Sequence, residues 1–264
     1  MDLVIVIWTN IGIALAATVC GYIFGSIPFS LLIGKLIFHK DPREFGSKNL
    51  GASNSGRVLG KKVGMLVLVL DALKLAIPLW GFWAILYFTP LGNALEGSPL
   101  ILEPIRSGGV SGDYSSVLQY YYLVALGCSL GHVFPLFAGL KGGKSVSCLA
   151  GLIFFTNWTI AIIAIIIFLT ILCARRYVGL ASICTAILTA GMSWLTLIPE
   201  LSRFTFYGGL FVGGIEFATI VTIITGIIII RHKSNIKRLL RNEEIRVNWL
   251  DFLDKKKKSL KNPE

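Results

Sequence analysis

The sequence predicts an all-α integral membrane protein: a bundle of seven transmembrane helices with the N-terminus outside and the C-terminus cytoplasmic. Three observations carry this prediction. Hydrophobic residues make up 55% of the 264-residue chain and charged residues only 15%, and the mean hydropathy is +0.75, far from the balance of a soluble domain. Several apolar runs reach the roughly 20 residues needed to cross a hydrocarbon core about 30 Å thick, with no charge among them. The formal charge of +11 sits in short loops beside those runs and in the tail, the pattern of cytoplasmic loops and not of a nucleic-acid-binding face.

The first apolar stretch, 3–38, is interrupted by GSIPFS from Gly25 to Ser30. Its opening, MDLVIVIWTN, has no basic n-region and leads to no small-residue cleavage site, so it is expected to remain as a span. Lys35, Lys40, Arg43, Lys48, Arg57, Lys61 and Lys62 follow, which assigns that loop to the cytoplasm and the N-terminus to the outside. A second span, 63–88, leads to a loop over 89–116 whose Glu96, Glu103, Asp113 and single Arg106 suit an external location. The span 117–140 returns and ends at Lys141 and Lys144. Cytoplasmic-type charge flanks both ends of the run 146–174, at Lys144 and at Arg175 with Arg176. Two short crossings turning near Asn157 and Trp158 satisfy both flanks, the first so short that it must thin the bilayer or sit inside the bundle. The span 178–197 then leads out to Pro199, Glu200 and Arg203, and 204–230 returns to a tail opening with Arg231. Residues 1–247 form the membrane domain and 248–264 a basic cytoplasmic tail, in which Lys255 to Lys258 are placed to meet anionic lipid. Five cysteines without a CxxC pair read as helix-packing residues, and no metal site is expected.

The unusual segments all fall on the cytoplasmic side of this map. FGSKNLGASNSGRVLGKK interleaves Gly46, Gly51, Gly56 and Gly60 with Ser47, Asn49, Ser53, Asn54 and Arg57. Glycines let backbone amides turn towards an anion, hydroxyls and amides add donors, and a guanidinium adds a bidentate charge; a flexible polar loop is the alternative. In GHVFPLFAGLKGGKSVSC, the run Lys141, Gly142, Gly143, Lys144 and Ser145 stands at the mouth of a helix whose N-terminal amides favour phosphate. This run is one residue short of a nucleotide P-loop, with Ala138 in place of the first glycine. Membrane helices on both flanks leave no strand for such a loop to follow. Asp71 and Lys74, at i and i+3 inside the second span, are open to structural pairing or to direct substrate contact. RRYVGLASI and RHKSNIKRLL complete the set; His232 and Asn235 in the latter share a helix face.

Taken in order, GSIPFSLLIGK, GSKNLGASNSGRVLGKK, LDALK, GHVFPLFAGLKGGKSV, RYVGLAS and RHKSNIKRLL resemble the bacterial acyl-phosphate:glycerol-3-phosphate acyltransferases of the PlsY type, over nearly the whole chain. The resemblance implies a small seven-helix bundle in the bacterial cell membrane with its active site facing the cytoplasm. The implied reaction is acyl transfer from acyl phosphate to the 1-hydroxyl of glycerol 3-phosphate. It gives lysophosphatidic acid and phosphate, the first step of phospholipid synthesis. The partners implied are those two substrates and membrane lipid, with no cofactor, metal or nucleic acid. An acyl phosphate is a mixed anhydride with a good leaving group, so positioning, charge neutralisation and removal of one proton suffice. By motif match, Ser47, Asn49 and Arg57 hold phosphate, and Lys144 with the amides of Gly142 and Gly143 takes the second anionic group. Ser182, His232 and Asn235 match the reacting centre, with Asp71, Lys74 and the tail carboxylate Glu244 in support. His232 orients or deprotonates the hydroxyl, with a substrate phosphate as the alternative base. No HxxxxD motif follows His39, His132 or His232, which speaks against the thioester-dependent acyltransferases.

The chain departs from the family pattern at Lys48, Ser145 and Asn242, where glycine is usual, at Ser53 in place of threonine, and at Gly179 in place of serine. Two rivals remain from the sequence: a transporter or channel, which an internal repeat would support though none is present, and a non-catalytic lipid-binding protein, which has no need of His232, Ser182 and two basic glycine loops.

Overall fold

The computed structural model describes residues 3–89, 118–198 and 214–247. Ten α-helices occur among them: α1 Leu3–Gly25, α2 Phe29–Ile37, α3 Ala52–Val58, α4 Lys61–Phe88, α5 Leu118–Val133, α6 Val146–Thr156, α7 Trp158–Arg175, α8 Val178–Leu195, α9 Ile215–Arg231 and α10 Lys233–Leu240. The break between α1 and α2 falls within GSIPFS, where Pro28 has no N–H to continue the hydrogen-bond ladder. Length and composition make five segments able to cross a membrane: Ile7–Ile37, Lys61–Ile85, Tyr120–Ala138, Trp158–Arg175 and Val178–Leu195. A sixth is added if Ile215–Arg231 and Lys233–Leu240, bent by 54°, count as one broken span.

Within 146–174 a helix break falls at the expected place. Asn157 is extended (φ −143°), ends α6 and caps α7, its side-chain oxygen accepting from the Ile160 N–H at 3.0 Å. α6 has only 11 residues; it packs against α4, while α7 packs against α8. The loop over 90–116, the segment 199–213 and the tail 248–264, on which the external-loop, seventh-span and lipid-contact expectations partly rest, lie outside the described residues.

Small residues set the closest helix contact. A Cβ added at Gly21 or Gly25 of α1 would lie 2.0 Å from the carbonyl oxygen of Val124 or 2.1 Å from that of Cys128. A Cβ at Gly127 or Gly131 of α5 would lie 2.0 Å from the oxygen of Thr18 or 2.2 Å from that of Tyr22. Two glycine pairs at four-residue spacing face each other, so the backbones of α1 and α5 touch directly, as dispersion-driven packing in lipid favours. The core beside them is filled by Leu79, Tyr121, Leu152, Ile160, Phe217 and Ile224, while Ile162, Ile166 and Leu169 of α7 stand exposed, as lipid-facing residues do.

Candidate active site

The loop after α2 is organised from within. Asn54 is buried; its Oδ1 accepts from the backbone N–H of Ser47 at 2.7 Å and from the Ser47 hydroxyl at 3.1 Å. Its amide group donates to the carbonyls of Pro42 at 2.8 Å and Phe45 at 3.2 Å. The sequence places this amide among the donors for an anion, but the loop itself uses both donors and the acceptor. Gly46 is needed here for two reasons: its φ is +61°, and a Cβ would sit 2.4 Å from Asn54 Oδ1. Asn49 accepts from the Gly51 N–H at 2.7 Å, so its oxygen serves the turn and its side-chain NH2 does not. A hydrogen bond of 2.7 Å between the Ser30 and Ser55 hydroxyls ties α3, the helix carrying Arg57, to α2.

The glycine-lysine loop folds back on the end of α5. The Gly143 N–H donates to the His132 carbonyl at 2.9 Å. A Cβ at Gly142 would lie 2.1 Å from that oxygen, and one at Gly143 would lie 1.9 Å from His132 Nε2. Ser145 follows at φ +65°, buried, its hydroxyl unpartnered among the described residues. The two loops meet: Arg43, paired with Asp41 at 2.7 Å, also donates to the Ala138 carbonyl at 3.0 Å, and Leu50 packs with Leu31 and Ala138. Between them lies a small cavity lined by Leu50, Asp71, Lys74, His132, Gly142 and Gly143, among others.

Asp71 and Lys74 form a buried ion pair at 2.9 Å, the side chains 2% and 3% exposed. Of the two roles open from the sequence, pairing is the one the geometry supplies. Lys74 Nζ also donates to the Ile27 carbonyl at 2.9 Å, an acceptor left at the break between α1 and α2. Asp71 has the Ser147 hydroxyl at 3.5 Å and His132 Nδ1 at 3.7 Å. A charge at this depth is tolerated because each one has a partner.

The third part comes from the C-terminal helices. The sequence suggested one helix face for His232 and Asn235; the structure breaks the helix at His232, between α9 and α10, and buries both side chains. His232 Nδ1 lies 2.8 Å from the Ile228 carbonyl, which places the proton of the neutral ring on Nδ1 and leaves Nε2 as an acceptor. Burial, then the nearby Lys144 charge, push the His232 pKa down to about 4 against that hydrogen bond. Lys144 Nζ donates to Asn235 Oδ1. The Asn235 amide donates to Glu244 Oε1 at 2.6 Å, and Arg238 Nε pairs with Glu244 Oε2 at 2.8 Å. Burial pushes the Lys144 pKa down to about 8; Glu244 opposes this, while Arg238, Arg57 and Arg231 reinforce it. Arg57 is itself lowered by partial burial, with Glu244 and Arg238 again the charges it senses. On α8, Gly179 lies against Asn235, where a Cβ would come 2.9 Å from its Nδ2. Ser182, one turn along the same face, is buried. The Val247 N–H donates to the Arg176 carbonyl at 3.0 Å and fastens the chain after α10 to the turn before α8.

Lys144, His232, Asn235, Glu244, Ser182 and Arg57 are thus brought to one end of the bundle. Ser47 and Asn49 join them through the Asn54-centred loop, and Gly142 and Gly143 through His132. Sequence reasoning passed over His132, Asn54 and Arg43 as organisers. The histidine stood in the GHVFP segment, but Asp71 is distant in the chain and no spacing betrays the pairing or the fold-back onto Gly143.

Comparison with known proteins identifies the family. The sequence model of the family described as glycerol-3-phosphate acyltransferase matches residues 15–242. A glycerol-3-phosphate acyltransferase of Staphylococcus aureus (strain Newman) is 34% identical over 229 residues, covering 87% of this chain and 95% of the relative. The protein of the bovine strain RF122 is 35% identical over the same length. Among solved structures, the glycerol 3-phosphate form of PlsY (YgiH), an integral membrane glycerol 3-phosphate acyltransferase, matches with TM-score 0.67 and 31% identity, covering 91% of this chain and 98% of that one. Its lysophosphatidic acid form matches with TM-score 0.65 and 30% identity. With this likeness running through the loops that build the site, the chain belongs to the glycerol-3-phosphate acyltransferase family, integral membrane acyltransferases of phospholipid synthesis.

Proposed function

We propose that the protein transfers a fatty acyl group from an acyl phosphate to the 1-hydroxyl of glycerol 3-phosphate, giving lysophosphatidic acid and inorganic phosphate. The observation that carries this reading is the meeting of the two glycine loops and the His232–Asn235–Glu244 segment around Lys144. Two phosphate-bearing substrates need two cationic, amide-rich seats side by side. Arg57 with the Asn49 amide forms one, joined by the Ser47 hydroxyl when it turns from Asn54, and Lys144 with the Gly142 amide forms the other; the Gly143 N–H expected there is taken by the His132 carbonyl. That the related PlsY was solved in glycerol 3-phosphate and lysophosphatidic acid forms supports the acceptor and the product.

In the reaction, the glycerol hydroxyl oxygen attacks the acyl carbonyl carbon, the acyl C–O bond to phosphate breaks, and phosphate leaves with both electrons. The hydroxyl proton goes to His232 Nε2 or to a substrate phosphate. A ring with a pKa of about 4 is by itself a weak base. A phosphate dianion beside Lys144 offsets the positive field on His232 and raises its proton affinity as the substrates assemble. Ser182 and Asn235 orient the reacting groups, and Glu244 holds Asn235. The equation balances with no cofactor.

The site faces the cytoplasm of a bacterial cell in this reading. The bundle crosses the cytoplasmic membrane seven times, α6 being a short crossing, with the N-terminus outside and residues 248–264 as a cytoplasmic tail. The basic residues of the loops after α2 and around Lys144 support that orientation. The test is phosphate release from palmitoyl phosphate by the purified protein in detergent. Release that requires glycerol 3-phosphate is expected; glycerol 3-phosphate uptake into vesicles without turnover would instead identify a carrier.

A further inference from the structure

We propose that His132 is a positioning residue that locks the Gly142–Gly143–Lys144 backbone to the buried Asp71–Lys74 pair, an inference that rests on this loop being an anion seat. Its imidazole stands between the two. Nδ1 faces Asp71 Oδ1 at 3.7 Å; Nε2 lies against Gly143 so closely that only glycine fits, a Cβ there meeting it at 1.9 Å. The residue's own carbonyl takes the Gly143 N–H at 2.9 Å. The loop is therefore held at one residue both by a backbone hydrogen bond and by the ring behind it.

The other end of the linkage is rigid. Asp71 is held by Lys74 at 2.9 Å, and Lys74 by the Ile27 carbonyl at 2.9 Å. The Ser147 hydroxyl at 3.5 Å brings in α6, the helix whose N-terminal amides follow the loop. The α1–α2 break and helices α4, α5 and α6 thus converge on one polar cluster, whose central histidine is 4% exposed. A polar ring in that position is costly to bury unless its contacts matter, and an apolar side chain would fill the space more cheaply. The cavity that Asp71, Lys74 and His132 share with Gly142 and Gly143 puts the cluster directly behind the loop. His132 acts through the backbone it holds at Gly143, keeping the Gly142 amide and the Lys144 ammonium in place for charge that is bound or released.

The experiment measures KM for glycerol 3-phosphate and for palmitoyl phosphate, kcat, and thermal unfolding in detergent, for His132→Asn and His132→Phe. Asparagine keeps a donor facing Asp71; phenylalanine keeps a ring against Gly143 and removes the polar link. His132→Phe is expected to raise one of the two KM values at least tenfold, to change the other KM and kcat less than threefold, and to leave the protein folded. His132→Asn is expected to recover most of that loss. The KM that moves identifies the phosphate the loop holds. A folded His132→Phe with wild-type KM values, or a His132→Asn no better than His132→Phe, overturns the inference. Lys144→Ala, run alongside, separates the two levels. If it is impaired while the His132 variants are not, only this inference fails; if it is itself unimpaired, the anion-seat reading fails as well.

Discussion

If Lys144 must be charged to hold a phosphate, the enzyme should fail at an alkaline pH well below that of ordinary lysine. Burial brings its pKa down to about 8, with Arg238, Arg57 and Arg231 adding to the fall and Glu244 opposing it. From that value, about nine-tenths of the Lys144 side chains carry charge at pH 7 and about one-tenth at pH 9, whereas an unperturbed lysine near 10.4 stays more than about nine-tenths charged at pH 9. Because the second ionisation of a phosphoester lies near about 6, both substrates are fully ionised above pH 7.5, and a limb beyond that belongs to the protein. The assay is kcat/KM from phosphate release between pH 6.5 and 10, corrected for spontaneous hydrolysis of the acyl phosphate. A fall of about tenfold between pH 7 and 9 is expected. Glu244→Gln removes the charge that holds the Lys144 pKa up, so its limb should move to lower pH. Lys144→Arg, which does not titrate in this range, should flatten the limb in whatever activity it keeps. A wild-type profile flat to pH 9.5, or the same limb in Lys144→Arg, would refute the assignment.

Three further outcomes follow from the packing. Asp71→Asn or Lys74→Met alone leaves one buried charge without its partner and should cost about 3–5 kcal/mol, while the double variant should recover much of it; thermal unfolding in detergent measures both. Gly127→Ala puts a Cβ 2.0 Å from the Thr18 carbonyl oxygen, so α1 and α5 must separate, at about 1–3 kcal/mol by the same measurement, with no loss expected from Gly191→Ala, where the space is open. Lys48→Gly removes a left-handed strain of about 1–2 kcal/mol and adds unfolded-chain entropy worth about 0.4–1 kcal/mol; the net is a small rise in unfolding temperature, and Lys48→Val should lower it.

The long apolar helices were legible because a bilayer makes apolar length the first constraint on the fold; among the described residues five segments are long and apolar enough to cross, or six if the bent pair counts as one, against the seven expected. The break at Asn157 shows what loop charge adds. No residue there announces a turn strongly, yet matching charge on both flanks of 146–174 required one, and Asn157 caps the second helix. The α1–α5 contact was not legible. Gly21, Gly25, Gly127 and Gly131 are ordinary glycines until two helices more than a hundred residues apart are set in register. His132 is hidden for a related reason, since its partners Asp71 and Gly143 come from different elements; Asn54 has near neighbours in the chain, but only the folded loop turns them into the four hydrogen bonds that make it an organiser.

The departures from the family pattern separate the demand of the backbone from the choice of residue. Lys48, Ser145 and Asn242, each standing where the resemblance leads one to expect glycine, have φ of +55°, +65° and +59°. All three keep the left-handed turn that glycine adopts freely and other residues adopt at a cost. Loss of the glycine therefore does not signal loss of the loop: the turn before Asn49, the entry to α6 and the end of α10 retain the shape the site needs. Packing must supply the difference. Ser145 sits fully buried immediately after Lys144, in the loop pinned by His132, and Asn242 precedes the Glu244 that holds Asn235 and Arg238. At both of these positions the left-handed residue, strained at Ser145 and tolerated at low cost at Asn242, adjoins a contact that fixes a neighbouring side chain, so relaxing the turn would move Lys144 or release Asn235.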